Sequence, residues 1–348
     1  MTGRVYLDWN ATTPLRVEAR AAMQAAMDVL GNPSSVHAEG RAAKALIEAS
    51  RAQIAAALGA DGADIVFTSS ATEAAALVCA GRGLHCADVE HEAVAAWCHG
   101  DLAVTAAGRV LVGDPAQSAV QLANSETGII QHLPAGIAVC DMTQAFGKLP
   151  TAFNWLECQA ALISAHKLGG PKGIGAAVLR RGVDITAQLR GGGQEMGRRA
   201  GTENLIGIAG FAAAATAAAR DLADGVWDKV AEIRNILELA LSGFGFQTIS
   251  VGNAADRLPN TLCLIAPGWK GETQVMAMDL AGYAVSAGSA CSSGKVRASR
   301  VLTAMGYPAN HAGQAIRISL GPDTGRDEVL RFADAWGRDY KRITSRVA

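Results

Sequence analysis

Apolar positions recur at helical spacing from Glu18 to Leu30. The run stops at Gly31-Asn32-Pro33, which predicts a helix ended by backbone that cannot continue it. A second helix is predicted over Arg41 to Leu58, closed by Gly59. Short apolar runs follow at Ile65 to Thr68, Ala119 to Ala123, Gly136 to Cys140, Ala160 to Ser164 and Ala176 to Leu179. Runs of that length predict strands buried on both faces. Helices and strands therefore alternate from about residue 17 to residue 220. That alternation predicts an α/β class, a mostly parallel sheet flanked by helices. Ligands in such sheets gather at the carboxyl ends of the strands.

A helix from about Val226 to Leu241 leads into a different pattern, with strands at Asn260 to Ile265 and Ala284 to Ser286 and a last helix over Asp327 to Tyr340. This reads as a smaller α+β domain formed by residues 222–348 and joined by residues 1–14, beside a large domain over residues 15–221. No internal repeat or low-complexity linker interrupts the chain.

Composition narrows the classes. Half of the 348 residues are hydrophobic, enough for an extensive core, and 31 basic against 32 acidic residues leave a net charge of −1. Without a basic block, nucleic-acid binding has little support. Met1-Thr2-Gly3-Arg4 runs directly into the strand-like Val5-Tyr6-Leu7, so no signal peptide is expected. The longest apolar tract, Leu205 to Ala219, ends at Arg220-Asp221, and no membrane span is expected. Seven cysteines without a CxxC pair argue against a disulfide framework or a zinc ribbon, so no metal is expected. A reducing cytoplasm is the expected setting, with most thiols acting as small core residues.

The chemistry concentrates at Ser164-Ala165-His166-Lys167, preceded by Asp141-Met142-Thr143-Gln144. Pyridoxal phosphate needs an amine to hold its aldehyde and a carboxylate to keep its pyridine nitrogen protonated. One segment offers both, with a hydroxyl and an imidazole beside the lysine. A surface lysine after a buried strand is the plainer reading, and the composite spacing disfavours it. Ser69-Ser70-Ala71-Thr72-Glu73 stands where a strand enters a helix, which suits an ordinary N-cap or a phosphate; beside Lys167 the phosphate is preferred.

Other residues carry two readings each. His91, in Glu90-His91-Glu92, is placed to stack on a ring and move protons, or is a solvated histidine. Asn124, in Asn124-Ser125-Glu126-Thr127-Gly128, is a donor to a ring oxygen or substrate carboxylate, or begins an Asx turn. Gly191 to Thr202 is a glycine-rich basic stretch that can approach a phosphate, or is a surface loop. Arg317 interrupts the apolar strand Ala315 to Leu320, as a clamp on a carboxylate or one half of an internal ion pair. Cys291 lies among small polar residues, Ser286 to Gly294, with Lys295, Arg297 and Arg300 nearby, a setting for a reactive thiolate rather than a core cysteine.

Taken together these blocks resemble the cysteine desulfurases, in the class V aminotransferase branch of the fold-type I pyridoxal phosphate enzymes. The resemblance runs from Tyr6-Leu7-Asp8 and Ala11-Thr12-Thr13-Pro14 to Arg317, through Gly31 to Ser35, Ala71-Thr72-Glu73, Glu90-His91, Asp141 to Gln144, His166-Lys167 with Gly170 to Gly173, and Gly288 to Cys291. It implies a Lys167 that binds the cofactor aldehyde, Asp141 on the pyridine nitrogen, Gln144 on the ring hydroxyl and His91 on the ring face. Ala71, Thr72, Ser164 and His166 would hold phosphate. Thr202 would reach the phosphate of a partner subunit, which implies a homodimer. Asn124 and Arg317 would hold the substrate carboxylate, and Cys291 would attack the substrate sulfur.

The resemblance thus implies conversion of L-cysteine to L-alanine, with sulfur passed through a Cys291 persulfide to an iron–sulfur scaffold or another acceptor protein. A selenocysteine lyase, another β-lyase, a transaminase and a silent partner protein that keeps the fold are the alternatives. Departures are the short stretch between His91 and Asn124, Ser125 for a usual asparagine, Trp9 for a tyrosine and Ala165 for a glycine.

Overall fold

The computed structural model describes residues 3–288 and 298–345. Its larger sheet has five strands in the order Asp64–Thr68, Gly175–Leu179, Ala160–Ser164, Val139–Asp141, Ala119–Gln121. The last three pair in parallel, and Gly175–Leu179 runs antiparallel to both of its neighbours. The sheet is thus mostly parallel, and the fold is that expected of fold-type I pyridoxal phosphate enzymes.

Strand alternation divides the large half into two cores. Ile65, Phe67, Ala161, Ile163, Ala176 and Val178 enter one, where helix Leu205–Ala223 packs against Val17–Met27 and Ala38–Leu58. Val66, Ala160, Leu162, Ala177 and Leu179 face the other, beneath helix Ala71–Cys79. Burial on both faces explains why these strands read as continuous apolar runs. Helix Leu205–Ala223 is long and apolar enough to cross a membrane, contrary to the expectation from the shorter tract, but more than half of it is buried as a core helix.

The smaller sheet is antiparallel, in the order Ser286–Ala287, Ala315–Ser319, Thr261–Ile265, Ile249–Ser250. Leu262, Leu264, Ile316 and Ile318 pack with helices Val226–Ser242 and Arg326–Thr344. Val5–Tyr6 pairs with Tyr283–Ala284, and Val5 and Leu7 enter this same core.

Element bounds differ from expectation where capping is local. Helix Ala38–Leu58 begins three residues earlier than predicted, because the His37 ring accepts from Gly40 N. The predicted strand from Gly136 starts instead at Val139, since Gly136 sits at φ 85° in a turn. The run from Ala284 to Ser286 breaks into two short strands in different sheets.

Candidate active site

The parallel strands end at one edge of the larger sheet, and their following turns wall a cavity of about 490 Å³. Ser70 caps helix Ala71–Cys79 by accepting from Glu73 N, and Ser70, Ala71 and Thr72 line the cavity. Glu73 locks the turn: its carboxylate accepts from Ser69 N at 2.7 Å and pairs with Arg199. Burial opposes its charge, yet Arg199 and Ser69 hold the carboxyl below its usual range. Gly175 passes directly beneath, where a Cβ would lie 2.7 Å from both Ser70 C and Ile163 O, so only glycine permits the approach.

Strand Ala160–Ser164 runs into a tight turn, Ala165–Lys167, and Ser164, His166 and Lys167 all reach the cavity wall. Lys167 Nζ donates to the carbonyls of Asn10 at 2.6 Å and Ala11 at 2.8 Å, which tether it to the N-terminal segment. His166 sits 3.2 Å from Thr12 Oγ1 through Nδ1, and its backbone carbonyl accepts from Thr13. Burial, then the charges of Lys167, Lys172 and Lys148, lower His166 to about 4, so its ring is neutral near pH 7.

Asp141 ends its strand on the wall, with Oδ1 accepting from Thr143 N at 2.8 Å. His91 lines the opposite part, and its Nδ1 accepts from Ala93 N at 3.1 Å. Glu90 next to it is buried, with one oxygen accepting from Gln121 N and the other without a partner among the described residues. Burial, reinforced by nearby Asp141, pushes its pKa well above the usual range. Gln144 is also on the wall; its Nε2 donates to Asn10 O and its Oε1 accepts from Lys148.

Ile316 and Ile318 enter the small core, so alternation turns Arg317 to the other face and onto the cavity. There Nη2 pairs with Asp8 at 2.7 Å and Nη1 donates to Ser125 O at 3.1 Å. Nε is buried without a partner among the described residues. The internal ion pair is thus present, and one further donor of Arg317 is left beside it.

Asn124 departs from the ligand reading. Its Oδ1 accepts from Glu126 N, Thr127 N and Thr127 Oγ1, and its Nδ2 donates to Val89 O. The side chain is consumed by an Asx turn and does not line the cavity; Ser125 beside it does. Thr202 is exposed and also lies off the cavity of its own chain. Its loop is anchored by Glu195, which takes Arg51 and Phe67 N. Cys291 lies outside the described residues. Of its flanks, Ser299 donates to Glu126 Oε2 at 2.8 Å, and a side chain at Gly288 would run into Glu126 Oε1. Burial raises the Glu126 carboxyl to about 7, against the pull of Ser299 and Arg317.

The residues that sequence reasoning missed are Asp8, Asn10, Glu126 and Lys148. Only a polar residue inside a predicted core run could have flagged them, and Lys148, after Gly147, gives no such signal.

Known proteins place this geometry. Residues 5–99 and 98–332 match the aminotransferase class-V family. The chain is 36% identical over 368 residues to a cysteine desulfurase of Cereibacter sphaeroides, covering 95% of this chain and 94% of that protein. A NifS-like protein of Rickettsia africae superposes with a TM-score of 0.88 at 30% identity, over 97% of this chain and 99% of that one. A structure of SspA in complex with cysteine superposes with a TM-score of 0.75 at 25% identity, over 91% and 99%. The chain therefore belongs to the aminotransferase class-V family, with cysteine desulfurases as its relatives.

Proposed function

We propose that this protein is a pyridoxal phosphate-dependent cysteine desulfurase. The carrying observation is that Ala71, Thr72, His91, Asp141, Gln144, Ser164, His166 and Lys167 line one cavity. That donor set fits the cofactor: an amine, a carboxylate, an imidazole, and hydroxyls at the N-terminus of a nine-residue helix suited to an anion. When bound, pyridoxal phosphate withdraws electrons from the α-carbon of an amino acid.

Lys167 would supply the amine that anchors the aldehyde and would hold the proton taken from the substrate Cα. Its tether to Asn10 O and Ala11 O keeps that nitrogen at the wall. Asp141 supplies negative charge for the pyridine nitrogen. His91 would lie against the ring, and Gln144 would offer an N–H to the ring hydroxyl. Ser70 to Thr72, Ser164 and a neutral His166 hold the phosphate, the last through one ring N–H rather than a charge. Arg317 Nε takes a substrate carboxylate oxygen. The Cys291 thiolate would attack the substrate sulfur, so that an S–S bond forms as Cβ–S breaks; the electron pair of that bond stays with the carbon fragment, which takes protons to become L-alanine, and a persulfide remains on Cys291.

A homodimer, with Thr202 reaching the partner's phosphate, fits the exposed position of that residue. Free cysteines at five buried positions and at Cys98 fit a reducing cytoplasm. A sulfur-acceptor protein, such as an iron–sulfur scaffold, would take the persulfide. Cys291→Ala tests the assignment: it should retain the visible absorbance of bound cofactor while losing sulfide release with dithiothreitol. Unchanged turnover of cysteine would remove Cys291 from the reaction, and selenocysteine turnover in its place would favour a lyase.

A further inference from the structure

Lys148 is a lysine in an unusual place. It is 2% exposed, and its hydrogen-bond partners among the described residues include no carboxylate. Nζ donates to Gln144 Oε1 at 2.9 Å and to Asn10 Oδ1 at 3.2 Å. Burial, then the charges of Lys167 and Arg317, push its pKa well below the ordinary lysine range. His166 also feels its charge. Burying such a group is costly, and nothing in the reaction sequence uses its amine.

The bonding pattern shows what the amine accomplishes. Because Nζ donates to both groups, it faces the oxygen ends of both amides. Gln144 must then turn Nε2 the other way, where it donates to Asn10 O at 2.9 Å. Asn10 likewise turns Nδ2 away, toward Thr261 Oγ1 at 2.8 Å and Ser125 O at 3.2 Å. Asn260 Nδ2 adds a second donor to Asn10 Oδ1 at 3.1 Å. The Asn10 carbonyl thus fixed is the one that receives Lys167 Nζ at 2.6 Å.

We propose that Lys148 is a positioning residue for Lys167 and Gln144: it sets the orientation of the Gln144 and Asn10 amides, and through them aims the Lys167 amine and the Gln144 donor at the cavity. This rests on reading Lys167 as the cofactor-bearing amine. One of its tests therefore needs no cofactor.

In the full-length chain, Lys148→Met should raise the acylation rate of the Lys167 amine, followed by peptide mapping, about threefold, the order of one lost hydrogen bond. It should also weaken retention of pyridoxal phosphate about tenfold, the upper end for a single hydrogen bond. Gln144→Ala should weaken retention similarly, and the double variant should be no weaker than the worse single, because both act through one chain of contacts. Lys148→Gln, which keeps a donor, should fall between wild type and Lys148→Met, and it decides the matter in both readouts should the methionine variant not fold. A drop in thermal stability with unchanged Lys167 labelling, or retention losses that multiply, would overturn the proposal. If the unsubstituted protein binds no pyridoxal phosphate, the functional reading fails, while the labelling result still judges Lys148.

Discussion

The two walls of the cavity are built on different physics. On the larger-sheet side, Asp141, Lys167 and the Ser70–Thr72 turn sit at strand ends, held mainly by main-chain groups: Thr143 N, the carbonyls of Asn10 and Ala11, and Glu73 N. On the smaller-sheet side, Asp8 accepts from the side chains of both Arg317 and Ser286, and Glu126 behind them accepts from Ser299. Backbone partners are set by the fold, and those of Asp141 and the Ser70–Thr72 turn need not change when a ligand arrives. Side-chain partners can be exchanged, and on the second wall Arg317 Nε is a further donor without a partner among the described residues. On the proposed function, holding the cofactor and admitting the substrate would fall to different walls.

The sharpest way to separate the walls is to remove one group from each. Lys167→Ala should cut kcat on the order of a hundredfold or more, the usual contribution of a positioned proton-transfer group, with its far-ultraviolet circular dichroism unchanged. Arg317→Ala should act mainly on KM, raising it roughly tenfold to a hundredfold, the range for hydrogen bonds to a charged group. Steady-state kinetics of the pair checks the division. If Arg317→Ala left KM unchanged and lowered kcat alone, the second wall would not be the substrate's side.

A smaller effect distinguishes the walls by pH. Glu126 rises from 4.5 to about 7 on folding, so its neutral form is favoured in the native state. The stability this reflects is complete below pH 4.5 and drains away as pH rises through about 7. His166 falls from 6.5 to about 4, so its contribution is present above pH 6.5 and is lost as pH falls toward 4. Urea unfolding of Glu126→Gln at pH 5 and pH 8 should show the variant gaining about 1 to 2 kcal/mol on wild type at the higher pH. His166→Gln should gain on wild type at the lower pH instead. Parallel profiles for the two variants would mean that neither burial site governs the titration.

Much of the first wall was legible in the chain. A buried strand followed by Ser164 to Lys167, and another followed by Asp141, place their side chains at a strand end by connectivity alone, and the structure puts them on one cavity. The second wall was not. Whether Arg317 met a partner depended on Asp8, more than three hundred residues away in the chain. Asn124 turned out to close its own turn because Glu126 and Thr127 offer amides at once, a choice that sequence leaves balanced. His37 as a helix cap and Lys148 as a buried amine broke the ordinary preferences of their residue types.

Local patterning was therefore enough to establish the α/β alternation and the strand-end position of Lys167 and Asp141. These depend on periodicity and on short spacings, which a linear chain already contains. The direction of the Gln144 and Asn10 amides, the Arg317–Asp8 pair and the Glu126 contact with both flanks of the Cys291 segment came from packing. The physical reason is that a buried polar atom takes whichever partner the fold brings within about 3 Å, and that partner is set by three-dimensional neighbours rather than by sequence distance.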